Sequence, residues 1–117
     1  YDIRSGYTQM NELYQKKDLS AMPTAVIAIN DYAALGVMQS IREHGGKIPE
    51  DISVASFDNT YIAETAMPCL TSVGYDYEEY GSLLVKAAIG RLYGTPVEKL
   101  QMVEPILFVR GSTGAVD

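Results

Sequence analysis

The chain has one cysteine, one histidine, no long apolar run and no cluster of basic residues. Each shortage excludes something. A membrane-spanning helix needs about 20 consecutive apolar residues, so no membrane segment is expected. The single cysteine, Cys69, rules out an internal disulfide and any cysteine-cluster metal site. It is expected to be a small filler of the core. The nine Lys and Arg residues are scattered and the net charge is −6. Phosphate contact needs clustered Lys and Arg, so this segment is not expected to grip nucleic acid itself, although a partner domain could. No GxGxxG or P-loop follows any expected strand. No cofactor and no metal are expected. The opening residues, YDIRSG, include neither a starting Met nor a signal-peptide pattern, and the chain is expected to be cut from a longer one. There is no internal repeat and no low-complexity segment.

What is present is enough for one modest domain. The 117 residues are 47% hydrophobic, which fits a globular chain with a real core. The organising stretch runs from Ala25 to Asn59: AVIAIN, DYAALGVMQSIREHGG, KIPED, ISVASFDN. Ala25–Ile29 and Ile52–Phe57 are continuous apolar runs of strand length. Such runs belong to parallel strands covered on both faces. Between them Ala34, Val37, Met38 and Ile41 share one face of a 3.6-residue period. Asn30 or Asp31 can cap this helix by accepting a backbone N–H. Gly45 and Gly46 supply a left-handed stop, and Pro49 prevents a restart. On the opposite face Tyr32 and Leu35 stand beside Gln39 and Arg42, with Met38 at the border. Two readings fit: scattered surface apolar residues, or a subunit interface.

Around this unit the pattern is simpler. Ile3, Tyr7, Met10 and Tyr14 recur at helical spacing, giving a helix over 3–17 with Asp2 near its start and Lys16-Lys17 at its end. Residues 18–23 form a loop. NTYIAETAMP fits about two helical turns, stopped by Pro68. Leu70–Gly74 is a third strand. Asp76 opens a long helix, with Glu79 set for a capping box and Tyr80, Leu84, Ala88 and Leu92 as its buried stripe. Leu100–Val103 and Ile106–Arg110 are further strand candidates, and GSTGAVD is a tail.

The order αβαβαβαβ predicts a doubly wound α/β fold with a mostly parallel sheet and right-handed crossovers. Parallel strands end at one edge, where open sheets bind ligands. Asn30, Asp58 and Tyr75 each follow a strand and gather there. An Asp, an Asn and a Tyr ring suit a polyhydroxylated ligand, although polar residues after strands also serve as helix caps.

The ordered pattern PTAVIAINDYAALG, then KIPEDISVASFDN, PCLTSV and ILFVRGST resembles the effector-binding core of the LacI/GalR (lactose-repressor) family of bacterial transcription regulators. It runs from about Pro23 to Thr113. The resemblance implies a periplasmic-binding-protein-like type I core of two lobes with a small-molecule effector, a sugar or purine, between them. It implies an N-terminal DNA-binding headpiece, absent from this chain, and a cytoplasmic homodimer. Residues 1–75 correspond to the later part of the C-terminal lobe. Residues 76–104 correspond to the closing helix and strand of the N-terminal lobe, and 105–117 to a return strand and tail. Asn30 and Asp58 match positions that bind effector hydroxyls. Tyr1 falls where an aromatic ring lies against the ligand. Tyr75 stands where many members have Gln, which points to a stacking contact in place of an amide. The helix with Tyr32, Leu35 and Met38 resembles the dimer helix, and the short helix ending near Ala66 lies beside it.

Two other classes compete. An enzyme would need Ser56 or Cys69 near His44, but His44 ends a helix antiparallel to its strands. That puts it about 20 Å from Asp58 at ~1.5 Å per residue, and no enzyme is expected. A periplasmic sugar-binding protein of a transport system shares the two-lobed core. The VRGST tail and the apolar outward helix face favour the regulator.

Overall fold

A computed structural model describes residues 1–16, 20 and 22–116. The elements are α1 (Ile3–Gln15), β1 (Ala25–Ile27), α2 (Asp31–Glu43), β2 (Ser53–Asp58), α3 (Tyr61–Thr65), β3 (Thr71–Gly74), α4 (Tyr77–Leu92) and β4 (Ile106–Phe108). The four strands form one sheet in the order β1-β2-β3-β4. β1 pairs parallel to β2 and β2 parallel to β3. The open α/β sheet with parallel strands is therefore present. Lys17 and, within the 18–23 segment, Asp18, Leu19 and Ala21 lie outside the described residues.

Two compact units divide the chain. One is Tyr1–Gly74 with Leu107–Asp117, the other Tyr75–Ile106. In the first, α2 provides the centre of the core. Ala34, Met38 and Ile41 are fully buried with Val54 from β2, Leu70 just before β3 and Met10 from α1. At their crossing α1 meets α2 backbone to backbone. A Cβ on Gly36 would lie 1.9 Å from the Ile3 carbonyl oxygen, and one on Gly6 would lie 2.0 Å from that of Ala33. The two helices touch where both lack side chains. Polar pairs flank this crossing, with Ser40 Oγ donating to Asn11 Oδ1 at 2.6 Å and Tyr7 to Glu43 at 2.5 Å. Asp2 caps α1 in a reciprocal box with Ser5.

Several expectations need correction. β1 and β2 are covered fully on one face, and on the other only near the start of β2, where Ser53 is buried and accepts from the Gly114 amide. Val54 and Ser56 face the helices, while Ile27 is 73% exposed and Phe57 on the same opposite face is also exposed. The apolar run reflects a sheet meant for cover on both sides, and no helix of the first unit supplies the second layer. Cys69 is exposed rather than a core filler, its thiol aimed at the Glu64 carbonyl. Met38 is wholly buried in this chain's own core, so its side chain offers nothing to a partner, and Ala66 is nearly as buried. Leu100–Val103 is no strand, and Leu100 and Met102 are exposed.

In the second unit, Asp76 caps α4 by accepting from the Glu78 and Glu79 amides. The expected buried stripe is absent: Tyr80, Leu84, Ala88 and Leu92 are all exposed. The turns bearing Leu83, Ala87 and Gly90 are partly covered instead, with Gly90 against the Val97 side chain. The extended segment after α4 folds onto that flank, and nothing in this unit covers the opposite one. Among the described residues no helix is long and apolar enough to cross a membrane.

Candidate functional site

β1 and β2 set the geometry of the site. Their register pairs Ile27 with Ala55. Asn30 and Asp58 lie equally far beyond that pair, so both emerge at the carboxyl edge of the sheet. Neighbouring parallel strands lie about 4.8 Å apart, which brings the two positions within reach of one small molecule.

Asn30, not Asp31, caps α2. Its Oδ1 accepts from the Ala33 amide at 2.8 Å. Its Nδ2 donates to the Tyr1 carbonyl at 3.0 Å, which ties the first residue to the same edge. An amide oxygen has a second lone pair and an amide nitrogen a second hydrogen, so Asn30 retains one acceptor and one donor site for a ligand. The Tyr1 ring is exposed.

Asp31 does something the sequence did not announce. It is fully buried and accepts four hydrogen bonds. Oδ1 takes Ser56 Oγ at 2.5 Å and Ser72 Oγ at 2.8 Å. Oδ2 takes the Thr60 amide at 2.6 Å and Thr60 Oγ1 at 2.7 Å. A buried carboxylate is tolerated only with such full pairing. Of its three hydroxyl partners only Ser56 stood out in the sequence, as a possible nucleophile, and no local pattern links it to Ser72 and Thr60.

Asp58 ends β2 in an unusual backbone state. Its φ is 101° and that of Asn59 is 50°. Non-glycine residues at positive φ are costly and cluster at functional sites. Asp58 is exposed. Beyond this turn Arg110 reaches back, with Nη2 donating to Asn59 Oδ1 at 2.7 Å and Nη1 to the Leu70 carbonyl at 2.8 Å. Ser112, fully buried, continues the same stitching. Its Oγ donates to the Val54 carbonyl at 2.6 Å and accepts from the Thr71 amide at 2.8 Å. Residues read as the start of a tail are thus part of the frame.

Tyr75 belongs to the second unit, where its ring lies 5.9 Å from that of Tyr80. Tyr32 is 48% exposed on the outward face of α2, and Leu35 beside it is partly covered. Exposed Tyr61 and Met67 stand at the ends of α3, and Arg42 Nη1 donates to the Met67 carbonyl at 2.5 Å, joining that segment to α2. A groove of about 340 Å³ runs between α1 and β1, lined by Met10, Ile27, Ile29 and Val37 among others. It does not include Asn30 or Asp58. Tyr1, Ser5 and Gln9 supply its polar lining, so of the expected effector residues it takes in Tyr1 alone. Among the described residues no group of His, Cys, Asp and Glu could hold a metal ion.

Comparison with known proteins gives a consistent picture. A family model described as a periplasmic binding protein-like domain matches residues 1–113. The HTH-type transcriptional regulator DegA of Bacillus subtilis (strain 168) is 34% identical over 118 residues, covering 100% of this chain and 34% of that protein. The structure of a dimeric Lac repressor with an 11-residue C-terminal deletion superposes with a TM-score of 0.86 at 29% identity, covering 99% of this chain and 42% of that one. A LacI family transcriptional regulator from Enterococcus faecium with bound ribose gives 0.82 at 26% identity, covering 100% and 42%. The chain therefore spans well under half the length of the proteins it matches.

Proposed function

Because the chain belongs to the periplasmic binding protein-like domain family, among its LacI/GalR regulators, we propose that it is the effector-binding and dimerisation portion of a LacI-type transcription regulator. The effector is a sugar-like small molecule. Asp58 accepts two of its hydroxyl protons, and Asn30 donates one hydrogen bond and accepts another. Tyr1 and Tyr75 supply aromatic surface for a sugar ring. The observation that carries this reading is the parallel register, which sends Asn30 and Asp58 to one edge.

Residues 76–104 belong, in this reading, to a second lobe whose remaining chain lies outside this sequence. That accounts for an α4 with bare apolar residues. The effector sits between lobes and favours one orientation of them. It shifts that equilibrium only by its differential affinity for the two states. Lobe orientation sets the spacing of two DNA-binding headpieces. The homodimer forms through the outward face of α2, with Tyr32 and Leu35 at its centre. Tyr61 and Met67 extend the patch, and a two-fold axis reuses it on both subunits. The protein acts in the cytoplasm and catalyses no reaction.

The test is a thermal-shift screen of pentoses, hexoses, disaccharides, sugar phosphates and purines on the intact protein. At least one sugar should raise Tm. If only purines do so, the sugar assignment is wrong.

A further inference from the structure

We propose that Arg110, Ser72 and Asp31 are positioning residues that hold the Asp58–Asn59 turn in its left-handed form, so that the terminal Arg110–Thr113 segment is part of the effector site's machinery. The inference rests on the reading of Asp58 as an effector ligand. Its geometric content stands apart from that reading.

Two successive positive-φ residues do not persist without support. A sparsely populated backbone state such as that of Asp58 is kept only where its surroundings fix it. The surroundings are specific here. From β3, Ser72 Oγ accepts the Asn59 amide at 2.9 Å. From α2, Asp31 accepts both the amide and the hydroxyl of Thr60. From the C-terminal segment, the guanidinium of Arg110 holds the Asn59 side chain and the Leu70 carbonyl together. Gly74 closes the fourth side, since a Cβ there would lie 2.3 Å from Asn59 Cβ and 2.6 Å from the Asp58 carbonyl oxygen.

The members of this clamp are linked to one another. Ser72 Oγ receives the Asn59 amide while donating to Asp31. Arg110 is itself fixed, its amide donating to Thr71 Oγ1 at 2.9 Å. Its guanidinium stacks 5.4 Å from the Phe108 ring and lies 3.9 Å from a Glu64 oxygen. Three elements distant in sequence thus converge on one turn. Lysine at 110 could reach one acceptor but not both, because only the planar fork presents two donors side by side.

Hydrogen exchange on the intact protein decides the matter. Arg110→Gln should speed exchange in the 57–62 segment by about tenfold, the effect of one lost charged hydrogen bond, while α2 exchanges as in wild type. Arg110→Lys should fall between the two. If Arg110→Gln fails to fold, Ser72→Ala serves, with the same local acceleration expected. Unchanged exchange at 57–62, or equal acceleration everywhere, would overturn the proposal. Asp58→Asn keeps the turn's tolerance of positive φ. With D-ribose as probe, ribose protection of 57–62 in wild type that persists in Asp58→Asn would defeat the effector reading and leave the clamp standing.

Discussion

α2 and α4 begin alike and end differently. Each is an amphipathic helix with an Asn or Asp cap accepting backbone amides. α2 buries Ala34, Met38 and Ile41 completely, whereas α4 buries no residue. The first lies between a parallel sheet and a second helix. The second has only the extended segment after it. An apolar stripe records which flank of a helix is to be covered. It does not record whether the cover lies in the same stretch of chain.

Truncation should separate the two helices most clearly. Ile41→Ala should cost about 2–5 kcal/mol by chemical denaturation of the 117-residue chain, because the cavity is fully enclosed. Leu84→Ala, at a site 55% exposed, should change stability by less than ~0.5 kcal/mol. In the intact protein the second lobe should cover α4, and the Leu84 cost should rise to about 2 kcal/mol. An equally small cost there would mean that α4 has no second-lobe cover.

Glycine gives a paired comparison of opposite sign. Gly36→Ala places a methyl group against the α1 backbone and should destabilise by about 1–3 kcal/mol. Gly81→Ala meets nothing within 4 Å and should stabilise α4 by about 0.5–1 kcal/mol. Thermal melts of the two variants should move apart. A destabilised Gly81→Ala would reveal an unseen neighbour of α4.

The smallest effect is electrostatic. The Tyr7 hydroxyl, and then the Gln39 amide, donate to Glu43 and hold its carboxyl below the usual glutamate range. A group with a lowered folded pKa contributes stability above its unfolded value and loses it as pH falls through the folded one. Tyr7→Phe should therefore raise the Glu43 pKa, followed by carboxyl NMR, and flatten the acid dependence of the α1–α2 contact. An unmoved pKa would show that the hydroxyl is not its cause.

The same contrast explains what could be read from sequence. The βαβ unit was legible because Ala25–Ile29 and Ile52–Phe57 flank a helix whose period and glycine stop are unambiguous. Asn30 and Asp58 were legible as strand-end polar residues. The clamp was not. Asp31 looked like an alternative cap, Ser56 like a possible nucleophile, Ser72 like part of the third strand, and Arg110 like the end of the Ile106–Arg110 strand. Their joint role depends on contacts between residues up to 51 positions apart, which no local pattern encodes. The Gly6–Gly36 crossing was hidden for a related reason, since a glycine's use as a helix contact shows only when its neighbour is known. Met38 was counted on both faces of α2, and burial assigns it to one.

The most direct test measures operator affinity of the intact protein with and without its strongest stabilising sugar, in wild type and in Asp58→Asn. The substitution removes the charge while keeping the shape and the tolerance for positive φ. The account predicts that wild type changes its operator affinity with sugar, and that Asp58→Asn binds operator as tightly but no longer responds. A variant that responds like wild type would contradict the assignment of Asp58 and, with it, the shared half-site at the sheet edge.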